Sequence, residues 1–254
     1  MREAVIETSS TLAAELLHVT KFYRRRHLGR LTVTRGIEDV SLDIRKGEVY
    51  GLLGLNGAGK TTTIKLLLGL LFPSAGEARL FDTPLPNRAI MHRIGYLPEL
   101  PTLYKYLTIV ELLNLYGELS DMPPDQRRAR IPQVIQDIGL EPHQKKHLRE
   151  YSKGMLQRAG LAQALLHNPD LLILDEPVSG LDPLGLKEMR SLLQRLNAQG
   201  KTIFFSSHII SEAEKLCHRV AILQDGRLDR VFERREWTGR DGRLEELFLE
   251  TIHA

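Results

Sequence analysis

The eight residues Gly54-Leu55-Asn56-Gly57-Ala58-Gly59-Lys60-Thr61 fit the pattern G-x-x-x-x-G-K-[ST] at every fixed position. A short apolar run, Glu48-Val49-Tyr50-Gly51-Leu52-Leu53, precedes them and reads as a buried strand. From Thr61 to Leu71, Ile64, Leu67, Leu68 and Leu71 recur at helical spacing, so the loop joins a strand to a helix N-terminus. That context predicts a grip for nucleotide phosphates. Gly54, Gly57 and Gly59 let the backbone turn its amides toward an anion, and the helix end adds positive potential. Lys60 is expected to reach the terminal phosphates and Thr61 to hold Mg²⁺ by its hydroxyl, with Leu55, Asn56, Ala58 and Thr62 completing the loop contacts.

Working outward, 254 residues with 42% hydrophobic and 26% charged content suit one large domain or a core with a small subdomain. The net charge of +3 is a mild bias that permits contact with acidic headgroups and gives no argument for nucleic acid. No apolar run reaches the roughly 18–20 residues needed to span a bilayer, so action at a membrane requires a spanning partner. Met1 to Thr8 carries acidic residues where a secretory signal would be apolar. Cys217 is the single cysteine, so no internal disulfide can form and a reducing cytosol is the expected setting.

Residues 16–23 and the alternating Val40, Leu42 and Ile44 read as two strands ahead of the Lys46-Gly47 turn. Between them, Arg24 to Arg35 holds five arginines and His27. This is read as a solvated hairpin extension, the alternative being docking on anionic lipid or a partner. Tyr23 is a candidate to stack an adenine ring, against the ordinary reading of a core aromatic. Strands are expected at Gly76 to Asp82 and at Arg93 to Leu97, the latter ending at Pro98-Glu99. A helical insertion follows, with Leu107, Val110, Leu113 and Leu115 on one helix and Ile131, Val134, Ile135 and Ile138 on another.

Tyr151-Ser152-Lys153-Gly154-Met155 opens a further helix with Ser152 as N-cap and Met155, Ala159, Ala162 and Leu166 on one face. It is a second anion-binding helix end, or simply a capped helix. Leu171 to Leu174 is an apolar strand delivering Asp175 and Glu176 to the carboxyl edge of a sheet, where open α/β folds bind ligands. Asp175 fits a Mg²⁺-holding residue and Glu176 a base that polarises an attacking water. Asp182 and Pro183 start another helix. The buried strand Thr202 to Ser207 then presents His208, placed to donate a hydrogen bond to a γ-phosphate. Ser211 and Glu214 have capping-box spacing, Cys217 reads as a core residue, Asp225-Gly226 as a hairpin turn, and Leu244, Leu247, Phe248 and Ile252 as the inner face of a tail helix.

This ordered series, over about residues 14–232, resembles the ATP-binding cassette ATPases, the nucleotide-hydrolysing subunits of ABC transporters. The resemblance rests on Gly54 to Thr61, Tyr151 to Met155, Asp175-Glu176, Ser179 to Asp182 and His208. It implies an α/β fold: a phosphate-loop NTPase core of mainly parallel sheet, an N-terminal antiparallel β subdomain and an inserted α-helical subdomain. The corresponding division is 14–98 with 159–232 for the core, 99–158 for the insertion and 233–254 for a tail helix. It further implies ATP and Mg²⁺ as ligands, with Thr61, Glu99 and Asp175 at the metal and Lys60, Glu176 and His208 in hydrolysis. Tyr23, Ser152, Gly154 and the loop residues would bind nucleotide. Two cassettes would pack head to tail, each ATP lying between one subunit's phosphate loop and the other's signature, and an integral-membrane permease would hold the pair peripherally at the cytoplasmic face.

Three positions depart from the family pattern. The signature, usually Leu-Ser-Gly-Gly-Gln, is Tyr-Ser-Lys-Gly-Met. The hinge glutamine is Glu99, and a common loop proline is Leu55. The first two variants look like those of cassettes serving ABC-2 type exporters, and Lys153 adds a positive charge that could attract a γ-phosphate. Two alternatives are a soluble cassette ATPase acting on nucleic acid or ribosomes and a non-hydrolysing sensor. Against the first stand a single cassette and no heptad run; against the second, the joint presence of Lys60, Asp175, Glu176 and His208.

Overall fold

The computed structural model describes residues 11–27 and 30–253. Met1 to Thr8, read above against a signal sequence, lies outside them, as do Leu28 and Gly29 of the arginine-rich segment. Along the chain, β1 (Leu12–His27), β2 (Arg30–Arg45) and β3 (Val49–Leu53) lead into α1 (Lys60–Leu67). Next come β4 (Ala75–Leu80), the two-residue β5 (Thr83–Pro84) and β6 (Ile94–Leu97), then α2 (Ile109–Leu119), α3 (Pro124–Asp137) and α4 (Lys153–Leu165). The remainder alternates: β7 (Leu171–Asp175), α5 (Pro183–Ala198), β8 (Thr202–Ser207), α6 (Ile210–Leu216), β9 (Arg219–Gln224), β10 (Arg227–Glu233) and α7 (Arg243–Ile252).

The larger sheet has the order β10-β9-β3-β8-β7-β6, parallel throughout except for the β9–β10 hairpin. Its central strands β3, β8 and β7 are buried at every position because both faces are covered. On β7, Leu172 and Leu174 enter one core while Leu171 and Ile173 enter the other, and Ile203, Phe204 and Phe205 of β8 divide the same way. One core is closed by the helices α2 to α7, the other by α1 and the antiparallel sheet β2-β1-β4-β5. Helix α4 packs on β6 and also on α2 and α3, so the boundary expected at 158/159 falls inside one continuous helix.

The β1–β2 ladder runs from Leu12↔Arg45 to His27↔Arg30, whereas β4 stops pairing at Thr20↔Ala75. The arginine-rich segment is therefore a two-stranded ribbon continuing past its sheet, with Arg24, Arg26 and Arg35 exposed. Asp225 and Gly226, both at positive φ, make the β9–β10 turn. Leu244, Leu247 and Phe248 pack inward from α7, and Cys217 is fully buried.

Two local expectations need correction. Ser211 and Glu214 form no capping box, because α6 begins two residues earlier than that pattern requires, with Ile209 as N-cap. The Glu214 carboxylate instead accepts from the amides of Gly242 and Leu244, capping the start of α7. On α2 the buried face is Ile109, Leu112, Leu113 and Gly117, not Leu115, since helical geometry puts Leu115 between the core-facing rows.

Candidate functional site

Three neighbouring strands, β3, β8 and β7, point the same way and end together, so the loops that follow them converge on one sheet edge. The loop after β3 enters α1 through Gly59, whose φ of 110° a residue with a Cβ would not hold without strain. Asn56, Gly57, Lys60, Thr61 and Thr62 line a cavity of about 430 Å³ at this edge, which Leu55, Ala58 and Gly59 also border. Tyr23 reaches the same cavity from β1, its hydroxyl 3.1 Å from Thr62 Oγ1.

Lys60, Asp175 and Glu176 are buried and partnered. Lys60 Nζ donates to the Gly54 carbonyl at 2.7 Å and lies 3.2 Å from Glu176 Oε1. The other Glu176 oxygen is 2.8 Å from His208 Nδ1 and accepts the His208 amide at 3.3 Å. Thr61 donates its hydroxyl to Asp175 Oδ2 at 3.2 Å. Glu176 has φ of 49°, a left-handed conformation uncommon for a side chain of this size, which turns its carboxylate back toward Lys60 and His208. Thr61 and Asp175 supply two hard oxygens side by side below the loop, a donor set that fits Mg²⁺. Glu99, after β6, is exposed and lines the cavity wall.

Ser152 and Gly154 are not brought to this cavity. They border a separate hollow of about 370 Å³ with Lys153, Gly180 and Asp182. Ser152 caps α4 as expected, its hydroxyl accepting from the Met155 amide at 3.3 Å. The Lys153 ammonium lies against the open side of Gly180 in the loop after β7.

Sequence reasoning missed three participants. Thr34 and Gly36 of β2 line the cavity beside Tyr23. Ser206 is fully buried on β8, donating to Asp175 Oδ1 at 2.7 Å and accepting the Glu176 amide at 3.0 Å. A hydroxyl ending an otherwise apolar buried strand was the available signal for Ser206. Nothing local marked Gly36.

A phosphate loop entering a helix, with an acid pair and a histidine from the neighbouring parallel strands, defines a phosphate-loop nucleoside triphosphatase. A family model described as ABC transporter matches residues 37–179, and the chain belongs to that family. It is similar to an uncharacterized ABC transporter ATP-binding protein of Nostoc sp., at 54% identity over 194 residues, 76% of this chain and 58% of that protein. The Nod factor export ATP-binding protein I of Paraburkholderia xenovorans is 40% identical over 205 residues, 80% of this chain and 66% of that one. Among solved structures, the dimeric post-hydrolysis state of an ATP-binding cassette bound to ADP and Pi superposes with a TM-score of 0.76 at 26% identity, covering 87% of this chain and 99% of that one. The chain spans about six-tenths of the length of the curated relatives it matches, 58%, 61% and 63% in three of them.

Proposed function

We propose that this chain is the ATP-hydrolysing subunit of an ABC transporter, most like those of ABC-2 type exporters, working as a head-to-tail cassette dimer on a separate membrane permease. The observation that carries the reading is Lys60, whose buried ammonium joins the phosphate loop at Gly54 to Glu176 at the end of β7. The loop amides and Lys60 would hold the β- and γ-phosphates, and Tyr23 would stack the adenine. Glu176, held between Lys60 and His208, orients a water in line with the γ-phosphorus and takes its proton as the bond to the β–γ bridging oxygen breaks, releasing ADP and phosphate. His208 would donate to a γ-phosphate oxygen. Thr61 and Asp175, with Glu99 on the cavity wall, would hold Mg²⁺, which supplies charge neutralisation of the phosphates.

Ser152 and Gly154 form an anion-binding helix end set apart from the chain's own loop, and this separation favours a site completed by a second cassette. Leu100, Tyr104 and Tyr106 expose 73%, 58% and 79% of their surface between β6 and α2, a patch suited to a permease segment. Among the described residues no helix is long and apolar enough to cross a membrane; in this reading the permease would hold the chain peripherally at the cytoplasmic face. The relative named for Nod factor export supports outward transport. The test is Glu176→Gln: turnover should fall by about 10²–10⁴-fold while ATP still binds and a dimer accumulates in gel filtration with ATP. Near-normal turnover would overturn the assignment.

A further inference from the structure

Strand β8 closes on Ser206 and Ser207 after three apolar residues. A hydroxyl buried without partners is costly, and Ser206 has no exposed surface. Both of its bonding roles are directed at the acid pair, through the parallel register that sets Asp175 opposite Ser206. Its O–H is given to Asp175 Oδ1 and its lone pair takes the Glu176 N–H.

Each bond has a consequence one atom further on. With Oδ1 of Asp175 engaged, the oxygen turned to Thr61 is Oδ2. With its amide anchored, Glu176 is kept in its left-handed conformation, a backbone state that surrounding bonds must stabilise. That conformation lets one carboxylate meet Lys60 with Oε1 and His208 with Oε2. Removing the hydroxyl would leave Asp175 held by Thr61 alone and the Glu176 amide without this partner in a buried site.

We propose that Ser206 is a positioning residue of the nucleotide site: one buried hydroxyl orients the Asp175 carboxylate toward Thr61 for metal binding and fixes Glu176 for hydrolysis. Ser206 touches neither nucleotide nor metal and acts through the two acids. The proposal rests on the nucleotide-site reading above.

The experiment uses the full chain carrying Ser206→Ala, Ser206→Thr or Asp175→Asn. Binding of a fluorescent ATP analogue is titrated with Mg²⁺ in a Glu176→Gln background, and again in EDTA. Turnover and melting temperature are measured without the background change. Groups that orient metal ligands typically govern affinity or activity by about 10–100-fold. Ser206→Ala should therefore raise the Mg²⁺ concentration for half-maximal binding by about that factor and lower kcat similarly. Affinity in EDTA and KM should stay near wild type, and Ser206→Thr, which keeps the hydroxyl, should restore both losses.

A normal Mg²⁺ requirement and kcat in Ser206→Ala would overturn the proposal. So would a loss that merely tracks the melting temperature, or a well-folded Ser206→Thr as impaired as the alanine variant. If Asp175→Asn is also normal, the metal assignment itself fails; if only Asp175→Asn is impaired, the role of Ser206 alone fails. Should Ser206→Ala not fold, Ser206→Cys, with its weak hydrogen-bonding thiol, takes its place under the same outcomes.

Discussion

Replacing Gly36 by alanine separates the proposed base-binding half of the site from the proposed phosphate-binding half. A Cβ on Gly36 would lie 2.7 Å from Tyr23 Cε2, and 3.1 Å from both the Lys21 carbonyl oxygen and Thr62 Cγ2. Carbon atoms rest about 3.5–4.0 Å apart, so the ring must retreat by roughly 1 Å, carrying its hydroxyl away from Thr62. Gly36 does not have the positive φ that would strain an alanine backbone, so the perturbation is steric and local. Stacking of a base on an aromatic ring contributes about 1–3 kcal/mol, which converts to an ATP affinity weakened about 5- to 150-fold. Tripolyphosphate has no base and should bind Gly36→Ala as it binds the unaltered chain. Calorimetric titration of both ligands with Mg²⁺, in a Glu176→Gln background that stops turnover, reads the two effects separately. The reasoning is refuted if ATP affinity is unchanged, or if tripolyphosphate weakens in step with ATP.

Two further outcomes follow from the site and from the end of α4. Ser152→Ala should leave ATP affinity of the lone chain within about twofold. It removes a hydrogen bond to a charged group across the proposed seam, worth about 1.5–3 kcal/mol, so ATPase activity of the assembled dimer should fall roughly 10- to 150-fold; full activity would exclude Ser152 from the seam. His167 has its pKa lowered below 6.5 by burial and by the cationic surroundings of His92, Lys201 and Arg130, and its Nε2 lies 2.9 Å from the Ile94 carbonyl oxygen. The unfolded chain thus takes up a proton at His167 before the folded one does, so this contribution is complete above pH 6.5 and declines as pH drops below it. Melting temperature should therefore fall from pH 7.5 to 5.5 with a slope that His167→Gln reduces; an unaltered slope would refute the role.

What could be read from the sequence was whatever the chain writes contiguously. Gly54 to Thr61 sits in one loop, and the run Leu171 to Glu176 spells out a strand and its terminal acids, so position along the chain and position in space coincide. The capping-box spacing of Ser211 and Glu214 shows where contiguity misleads. The pattern is present, yet Glu214 finds better-placed donors 28 and 30 residues away at the start of α7. Gly36 and Ser206 lie at the other extreme. Gly36 matters because β2 passes under an aromatic ring from β1 and beside the first turn of α1. Ser206 matters because parallel pairing sets β8 against β7 with Asp175 in register, across a separation of 31 residues. Both follow from strand register, which no local pattern encodes when the strands are apolar on both faces and a shift by one residue would bury an equally apolar set. The two serines at the end of β8 break that degeneracy. A slip of one residue would separate the Ser206 hydroxyl from Asp175 and set Phe205 or Ser207 opposite that acid, so the contact that orders the acid pair is tied to the observed register.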